Sequence, residues 1–267
     1  MTGPAHRPRK RFGQNFLHDP AVIGRIIRAI DPRPDEHLVE IGPGLGALTR
    51  PLLSAVGHLA AVEIDRDVIP HLKEICDGSG ELRIHNLDVL KCDFATIAAG
   101  QALRLVGNLP YNISTPLLFH LLKQLPVIRD MHFMVQKEVA ERLAAAPNTE
   151  HYGRLGIMVQ LRCTVELLFT VGPGAFKPAP KVDSAVVRLI PHREMPVKII
   201  DERRFAELVT RAFSQRRKTL RNALKGLLTT EQIEALGIDP MRRPETLGLA
   251  DYAALSNALS ENVRQEK

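Results

Sequence analysis

Short apolar runs alternate with amphipathic segments over the first half of the chain. Residues 20–30 carry apolar side chains at helical spacing, and five runs of strand length follow at 37–41, 58–64, 82–87, 103–106 and 131–135. Segments with a helical pattern separate these runs, at 47–55, 66–76, 114–125 and 136–145. This alternation predicts right-handed crossovers and a mostly parallel sheet with helices on both faces.

The pattern changes in the second half. Residues 165–171 and 184–190 are rich in β-branched and apolar side chains, and the loop between them is rich in Gly and Pro, which predicts an antiparallel hairpin added to the sheet. Residues 191–196 form a linker, and 205–228, 231–236 and 252–259 show only helical patterns. We therefore expect an α/β domain at 1–191 and a small all-helical domain at 192–267.

Composition narrows the class of protein. No run approaches 18 apolar residues, so we expect no transmembrane helix, and the polar, basic first ten residues do not resemble a secretory signal. The three cysteines, Cys76, Cys92 and Cys163, are scattered without a C-x-x-C pair. We therefore expect no metal site, no disulfide framework and a cytoplasmic location.

The positive charge of the chain is local. The segment 203–225 carries eight basic residues against the single acid Glu207, a net charge of +7, whereas the whole chain nets +6. A basic arm, RPRKR, also occupies residues 7–11. A concentrated patch can bind a polyphosphate by releasing counterions, but a solvated helix face has the same composition. Charge alone leaves both interpretations open.

A glycine-rich turn follows the first predicted strand, where residues 40–46 read EIGPGLG. Gly42 and Gly44 allow a bulky ligand to approach the backbone near a helix N-terminus. Together with Ala47 they also fit G-x-G-x-x-A, so a nicotinamide dehydrogenase stays open, as does a tight turn without a ligand.

Two acids lie where the next two strands should end. Glu63 follows Gly42 by 21 residues and could accept hydrogen bonds from both hydroxyls of a ribose, and Asp88 could accept one from an adenine amine. Either acid alone could be a helix cap or a surface group. With the glycine turn they favour a nucleoside cofactor, without choosing between NAD and S-adenosylmethionine.

The motif that chooses the chemistry is NLPY at 108–111, after the fourth predicted strand. The exocyclic nitrogen of adenine donates its lone pair into the ring and is a poor nucleophile. Two acceptors on its hydrogens, the side-chain oxygen of Asn108 and the carbonyl of Leu109, would favour a tetrahedral nitrogen with a localised lone pair. Pro110 makes the turn rigid, and Tyr111 offers a face for base stacking. No cysteine lies near the motif, which disfavours a cytosine C5 mechanism.

Eight stretches, spread over nearly the whole chain, match the motifs of a known family in the expected order. They are GQNFL at 13–17, VEIGPGLG at 39–46, VEID at 62–65, GNLPYNIST at 107–115, FMVQKE at 133–138, YGRL at 152–155, FKPAPKVDS at 176–184 and FSQRRKTLRN at 213–222. In these motifs the chain resembles the ribosomal RNA adenine dimethyltransferase family. The resemblance implies a Rossmann-like S-adenosylmethionine methyltransferase domain, with a seven-stranded mostly parallel sheet, followed by a small helical domain.

The resemblance also implies roles for particular residues. The cofactor would be enclosed by Asn15, Leu17, Gly42, Gly44, Glu63, Asp88 and Asn108. Asn108 and the Leu109 carbonyl would hold the adenine amine while Tyr111 and Phe176 sandwich the ring of a base that has left its stack. Arg216, Arg217, Lys218 and Arg221 would contact the rRNA backbone beside the pocket.

The implied reaction is dimethylation of two adjacent adenines near the 3′ end of small-subunit rRNA, coupled to maturation of that subunit, by a monomer acting on the immature particle. The alternative within this class is a resistance-type methyltransferase of large-subunit rRNA adenines, which shares the fold and a similar loop; the run at 213–222 favours the small-subunit enzyme. A non-catalytic assembly factor and a nicotinamide oxidoreductase are the alternatives from other classes.

Overall fold

The computed structural model describes residues 15–265, with side chains described as far as Glu261. The strands are β1 (Phe16–Leu17), β2 (Leu38–Ile41), β3 (His58–Val62), β4 (Glu81–His85), β5 (Leu103–Asn108), β6 (Ile128–Gln136), β7 (Cys163–Val171), β8 (Phe176–Lys177) and β9 (Ser184–Pro191). The helices are α1 (Pro20–Ile30), α2 (Thr49–Val56), α3 (Ile69–Cys76), α4 (Phe94–Ala98), α5 (Ser114–Leu121), α6 (Lys137–Ala144), α7 (Arg154–Gln160), α8 (Glu202–Ser214), α9 (Leu220–Ala223), α10 (Thr230–Ala235) and α11 (Leu249–Gln265). The basic arm at 7–11 and the start of the GQNFL motif, Gly13 and Gln14, lie outside the described residues.

Seven strands form one sheet in the order β4-β3-β2-β5-β6-β9-β7. The five strands from β4 to β6 are parallel to their neighbours, and β9 runs antiparallel to β6. The predicted α/β fold with a mostly parallel, seven-stranded sheet is confirmed. The strand order reverses beside β2, which lies between β3 and β5, and ligands bind at such a point beyond the carboxyl ends of the strands.

Local sequence explains the elements that lead to this edge. Asp19 caps α1 by accepting hydrogen bonds from the backbone N–H groups of Ala21 and Val22, and Pro20 begins the helix, where a missing N–H costs nothing. All four residues of β2 are buried, as expected of a central parallel strand. On β5, a Cβ on Gly107 would lie 2.5 Å from the Ile41 carbonyl oxygen, so only glycine lets these strand ends approach.

Packing divides the chain into two units. One contains residues up to Ala140 together with Thr164–Pro191, and the other contains Glu141–Cys163 together with the chain from His192 onward. The predicted boundary at 191/192 coincides with one of these divisions, but the segment 141–163 belongs to the helical unit and not to the 1–191 domain. The reason is apolar packing, because Tyr152, Ile157 and Leu161 share a core with Phe205 and Leu208.

The helical prediction for 205–228 is wrong as one continuous element. Helix α8 ends at Ser214, and a turn separates it from α9, which Thr219 precedes in an extended conformation. The basic residues 216–218 therefore lie on a turn and not on a helix face. Strand β4 also ends earlier than predicted, at His85, and the helix predicted at 114–125 ends at Leu121. Helix α7, at Arg154–Gln160, was not predicted.

Candidate active site

A cavity of about 340 Å³ opens beyond the carboxyl ends of β2, β3 and β5. Its lining comes from residues 15–17, most of 40–48, 62–64, 87–90 and 108–113. The structure thus brings together, from five separate segments, every predicted cofactor residue and three of the four predicted catalytic residues. This convergence at the point where the strand order reverses is the arrangement expected of a nucleoside site.

The glycine turn is shaped by backbone conformations that only glycine adopts readily. Gly42 and Gly44 have φ values of +66° and +54°. A Cβ on Gly44 would lie 3.1 Å from the ring of Phe16, so the turn and β1 approach closely here. The two glycines keep the floor of the cavity open to a ligand.

Glu63 is 5% exposed, and both of its oxygens accept backbone hydrogen bonds. Oε1 accepts from Asp65 N–H at 2.8 Å and Oε2 from Gly44 N–H at 3.3 Å. Burial raises the pKa of Glu63, and these two N–H groups oppose that rise. The carboxylate is therefore fixed in one orientation between β3 and the glycine turn, and each oxygen keeps a second lone pair for a ligand hydroxyl.

Asp88 combines two roles. Its Oδ1 accepts a hydrogen bond from Leu90 N–H at 3.0 Å and so caps the single turn of 3₁₀ helix at Val89–Lys91. Asp88 is therefore a helix cap, as one interpretation of the sequence had it, and it also lines the cavity. The segment after it is braced by α5 and the residues beyond, since Gln124 accepts from Phe94 N–H at 2.8 Å and donates to the Cys92 carbonyl at 3.1 Å.

The NLPY loop is held at several points but keeps two acceptors available. Asn108 Nδ2 donates to the Asn15 carbonyl at 3.0 Å, which fixes the side-chain amide and assigns Oδ1 as its acceptor. Leu109 N–H donates to the Met134 carbonyl on β6, also at 3.0 Å. Among the described residues no donor bonds to Asn108 Oδ1 or to the Leu109 carbonyl oxygen. Both acceptors remain free for a hydrogen-bond donor in a ligand.

Phe176 is the predicted site residue that the structure does not bring to the cavity. Its side chain is 3% exposed and packs in the core of the sheet unit, and its backbone pairs with Leu17 across β1 and β8. This pairing holds the segment 15–17 over the cavity. The stacking role of Phe176 stays a prediction.

Glu40 is a cavity residue to which the sequence motif assigned no role. It is 2% exposed, and its Oε2 has no hydrogen-bond partner. Burial, assisted by the nearby charge of Glu63, raises the pKa of Glu40 to about 8. A buried acceptor without a partner is costly unless a ligand satisfies it. The EIGPGLG motif contained this signal, because Glu40 is the one charged residue in it.

The basic segment of the helical unit is partly as expected. Arg217, Lys218 and Arg221 are exposed, and within the described part of the chain none of them pairs with a carboxylate. Arg216 is exposed but donates to the Glu150 carbonyl at 2.7 Å. Leu220 and Leu224 are fully buried, so they anchor the segment in the core beneath these cations.

The described residues contain no group of three or more His, Cys, Asp or Glu side chains that could hold a metal ion. Nor does any helix among them have the length and apolar character needed to cross a bilayer.

Comparison with known proteins gives a consistent set of relatives. A family model described as ribosomal RNA adenine dimethylase matches residues 5–261. Proteins named ribosomal RNA small subunit methyltransferase A are similar over 96% of the chain: 60% identical in Nitrosococcus oceani, covering 97% of that protein, and 57% identical in Marinobacter nauticus, covering 93%.

Two solved structures share the fold. A dimethyladenosine transferase from Plasmodium falciparum has a TM-score of 0.78 and 27% identity, over 93% of this chain and 98% of that one. The 23S rRNA methyltransferase ErmE has a TM-score of 0.73 and 27% identity, over 92% of this chain and 100% of that one. With the family model matching almost its full length, the chain belongs to the ribosomal RNA adenine dimethylase family.

Proposed function

We propose that this protein transfers methyl groups from S-adenosylmethionine to the N6 amines of two adjacent adenines near the 3′ end of small-subunit rRNA. The observation that carries the proposal is the pair of free acceptors on the NLPY loop, Asn108 Oδ1 and the Leu109 carbonyl, at the edge of a cavity formed for a nucleoside. Membership of the family makes the chain a methyltransferase with this cofactor, so the nicotinamide alternative is excluded.

The cavity residues fit S-adenosylmethionine. The positive φ values of Gly42 and Gly44 leave room beside the backbone, Glu63 offers oriented lone pairs to ribose hydroxyls, and Asp88 offers an acceptor to the adenine amine. The buried Oε2 of Glu40, which has no hydrogen-bond partner, suits the ammonium group of the methionine part, since a cation would stabilise the ionised form of this carboxyl. When bound, the cofactor would supply an electrophilic sulfonium methyl group for transfer to the adenine nitrogen, which would give up one of its protons to water.

The protein positions and polarises the target amine. Asn108 Oδ1 and the Leu109 carbonyl accept its two hydrogens, which favours a tetrahedral nitrogen with its lone pair directed out of the ring. The Asn15 and Met134 carbonyls fix these acceptors in advance, so little reorganisation accompanies the reaction. No strongly basic side chain is required, because the amine becomes acidic as it is methylated.

Tyr111 provides the stacking face for the target base. Tyr111 lines the same cavity as Asn108, and base–aromatic stacking is worth roughly 1–3 kcal/mol. This offsets part of the few kcal/mol needed to take an adenine out of its helix. A flipped base held by its face and its amine would be fixed in both position and orientation.

The large-subunit alternative has weaker support. The relatives named for the small subunit are 57–60% identical to this chain, whereas the large-subunit enzyme ErmE is 27% identical. The deciding experiment supplies unmodified small and large subunits separately, with radiolabelled S-adenosylmethionine. We expect label in small-subunit adenines; label confined to the large subunit would overturn the assignment.

The exposed cations of the helical unit are the proposed rRNA contact, so residues 192–267 would be an rRNA-contacting domain. We propose that the protein is a cytoplasmic monomer that acts on immature small subunits. Replacing Arg217, Lys218 and Arg221 with Ala should weaken binding and flatten its dependence on salt, because fewer counterions are released. The measurement is the slope of log affinity against log salt concentration. An unaltered slope would show that this patch is only a solvated surface.

A further inference from the structure

The aromatic ring proposed to stack on the target base is tied at its far end to another strand. The phenol oxygen of Tyr111 and Oγ of Ser184 lie 2.7 Å apart and share a hydrogen bond. Burial raises the pKa of Tyr111, so the phenol stays protonated at physiological pH and the bond persists. The tie joins the NLPY loop to the first residue of β9.

Ser184 is a rigid anchor. Its side chain is fully buried, and its backbone pairs with Gln136 in the antiparallel ladder of β6 and β9. The preceding carbonyl, of Asp183, accepts from Lys137 N–H at 2.9 Å. Ser184 is followed on β9 by Ala185, Val186 and Val187, all buried, so a hydroxyl among them requires a specific partner. Tyr111 is that partner.

The hydrogen bond between Tyr111 and Ser184 restrains the part of the loop that is otherwise free to rotate, the side chain of Tyr111. Its backbone is already held, because Leu109 N–H bonds to Met134 and the Pro110 carbonyl accepts from Ser114 Oγ at 3.0 Å. What remains free is rotation of the Tyr111 ring about its side-chain bonds. A hydrogen bond at the tip of the ring fixes the direction of the ring's long axis, and so limits where the ring can lie beside the neighbouring acceptors.

We propose that Ser184 is a positioning residue that fixes the Tyr111 ring for the target adenine and thereby supports the second methyl transfer more than the first. The inference rests on the proposed function. An unmodified amine offers two hydrogens, one to Asn108 Oδ1 and one to the Leu109 carbonyl. Each transfer replaces one N–H bond with N–CH3 and releases the proton, so a monomethylated amine retains one hydrogen for two acceptors. Its position then depends more heavily on stacking.

The test compares Ser184→Ala, Tyr111→Phe and the double variant on unmodified small subunits, with N6-monomethyl- and N6,N6-dimethyladenine quantified over time by mass spectrometry. We expect each single variant to slow the second transfer by roughly tenfold, the upper end of what one net hydrogen bond contributes, and the first by less. Monomethyladenine should accumulate. Because both substitutions break the same bond, the double variant should match the single ones.

Ser260→Ala is the matched control, since it also removes a buried serine hydroxyl, one that donates to the Ser256 carbonyl at 3.0 Å within α11. It should leave the ratio of mono- to dimethyladenine unchanged. Rates are compared per folded molecule, and calorimetric affinity for S-adenosylmethionine should be unaltered in all variants. A wild-type ratio in Ser184→Ala, equal slowing of both transfers, or additive effects in the double variant would each overturn the proposal. Failure of the proposed function would look different, as wild-type protein would then form no methyladenine in small subunits.

Discussion

Two glutamates at opposite ends of one strand show how the sheet separates stability from function. Glu36 precedes β2 and bonds to the guanidinium groups of Arg104 and Arg129, at 2.5 and 2.9 Å. Glu40, near the other end of β2, has a buried oxygen without a partner. Burial raises the pKa of Glu36, but the Arg33 amide and Arg104 outweigh it and the net shift is downward, whereas the pKa of Glu40 rises to about 8.

The same contrast extends across the neighbouring strands. At the amino ends, Arg104 also bonds to Asp130 at 3.0 Å and donates to the Ile30 carbonyl at the end of α1, so charges satisfy one another. At the carboxyl ends, Asn108 and Leu109 keep acceptors free around a cavity. At the amino ends these charged side chains pair with one another, whereas the two acceptors at the carboxyl ends have no donor among the described residues.

Removing Arg104, the central cation at the amino ends of the strands, should have the largest effect on the free energy of unfolding. Arg104→Met leaves the buried Asp130 without this cation and leaves Glu36 paired with Arg129 alone, and breaking a buried ion pair from one side costs about 3–5 kcal/mol. Chemical denaturation measures the loss, and activity per folded molecule should be unchanged. Arg83→Met, at an exposed position on β4, is the control and should cost far less. A loss below about 1 kcal/mol for Arg104→Met would show that this edge does not stabilise the fold.

At the carboxyl ends of the strands, a substitution should lower the rate of methyl transfer and not the stability of the fold. Asn108→Ala removes one preorganised acceptor, and losing such a contact lowers the rate by roughly 10²-fold or more. Single-turnover methylation of small subunits measures it, while RNA affinity and the denaturation midpoint should change little. An unchanged rate would assign this loop another task.

The two glutamates should respond oppositely to pH. The folded pKa of Glu40 lies above its ordinary value of 4.5, so the folded protein binds an extra proton between pH 4.5 and about 8 and loses stability as pH rises through that range. The free energy of unfolding of Glu40→Gln should therefore rise relative to that of wild type as pH increases through this range, by up to roughly 1 kcal/mol per pH unit.

The folded pKa of Glu36 is lowered, so its contribution is complete above pH 4.5 and disappears as pH falls through the folded value. Glu36→Gln should be less stable than wild type at neutral pH and converge with it in acid. Denaturation of the three proteins from about pH 2 to pH 9 measures both trends, because the Glu36 window lies below pH 4.5. Parallel curves would mean that the two ends of β2 do not differ electrostatically.

Much of the fold was predictable because hydrophobic periodicity and glycine turns are local signals. The strand–helix alternation, the helix at 20–30 and the positions of Glu63, Asp88 and Asn108 near strand ends follow from it. The break at 215–219 did not, since the apolar spacing of Phe213, Leu220 and Leu224 continues across a turn that tertiary packing imposes. Residues 141–163 likewise join the helical unit through contacts distant in sequence.

The sequence predicted which residues form the site but not the hydrogen bonds that hold them in place. Motifs identified Asn108 and Tyr111, yet the bonds that fix them run to Asn15 and Ser184, 93 and 73 residues away. No local pattern marks such a pair. The burial of Phe176 has the same origin, because it depends on the pairing of β8 with β1.

The most direct test that the site at the carboxyl ends of the strands methylates adenine is made in cells. Methylated adenines are mapped across the rRNA of a strain lacking this protein, complemented with wild type or with Asn108→Ala. We expect two adjacent dimethyladenines near the 3′ end of small-subunit rRNA only with the wild-type protein. An identical map in all three strains, or a difference confined to the large subunit, would contradict the account.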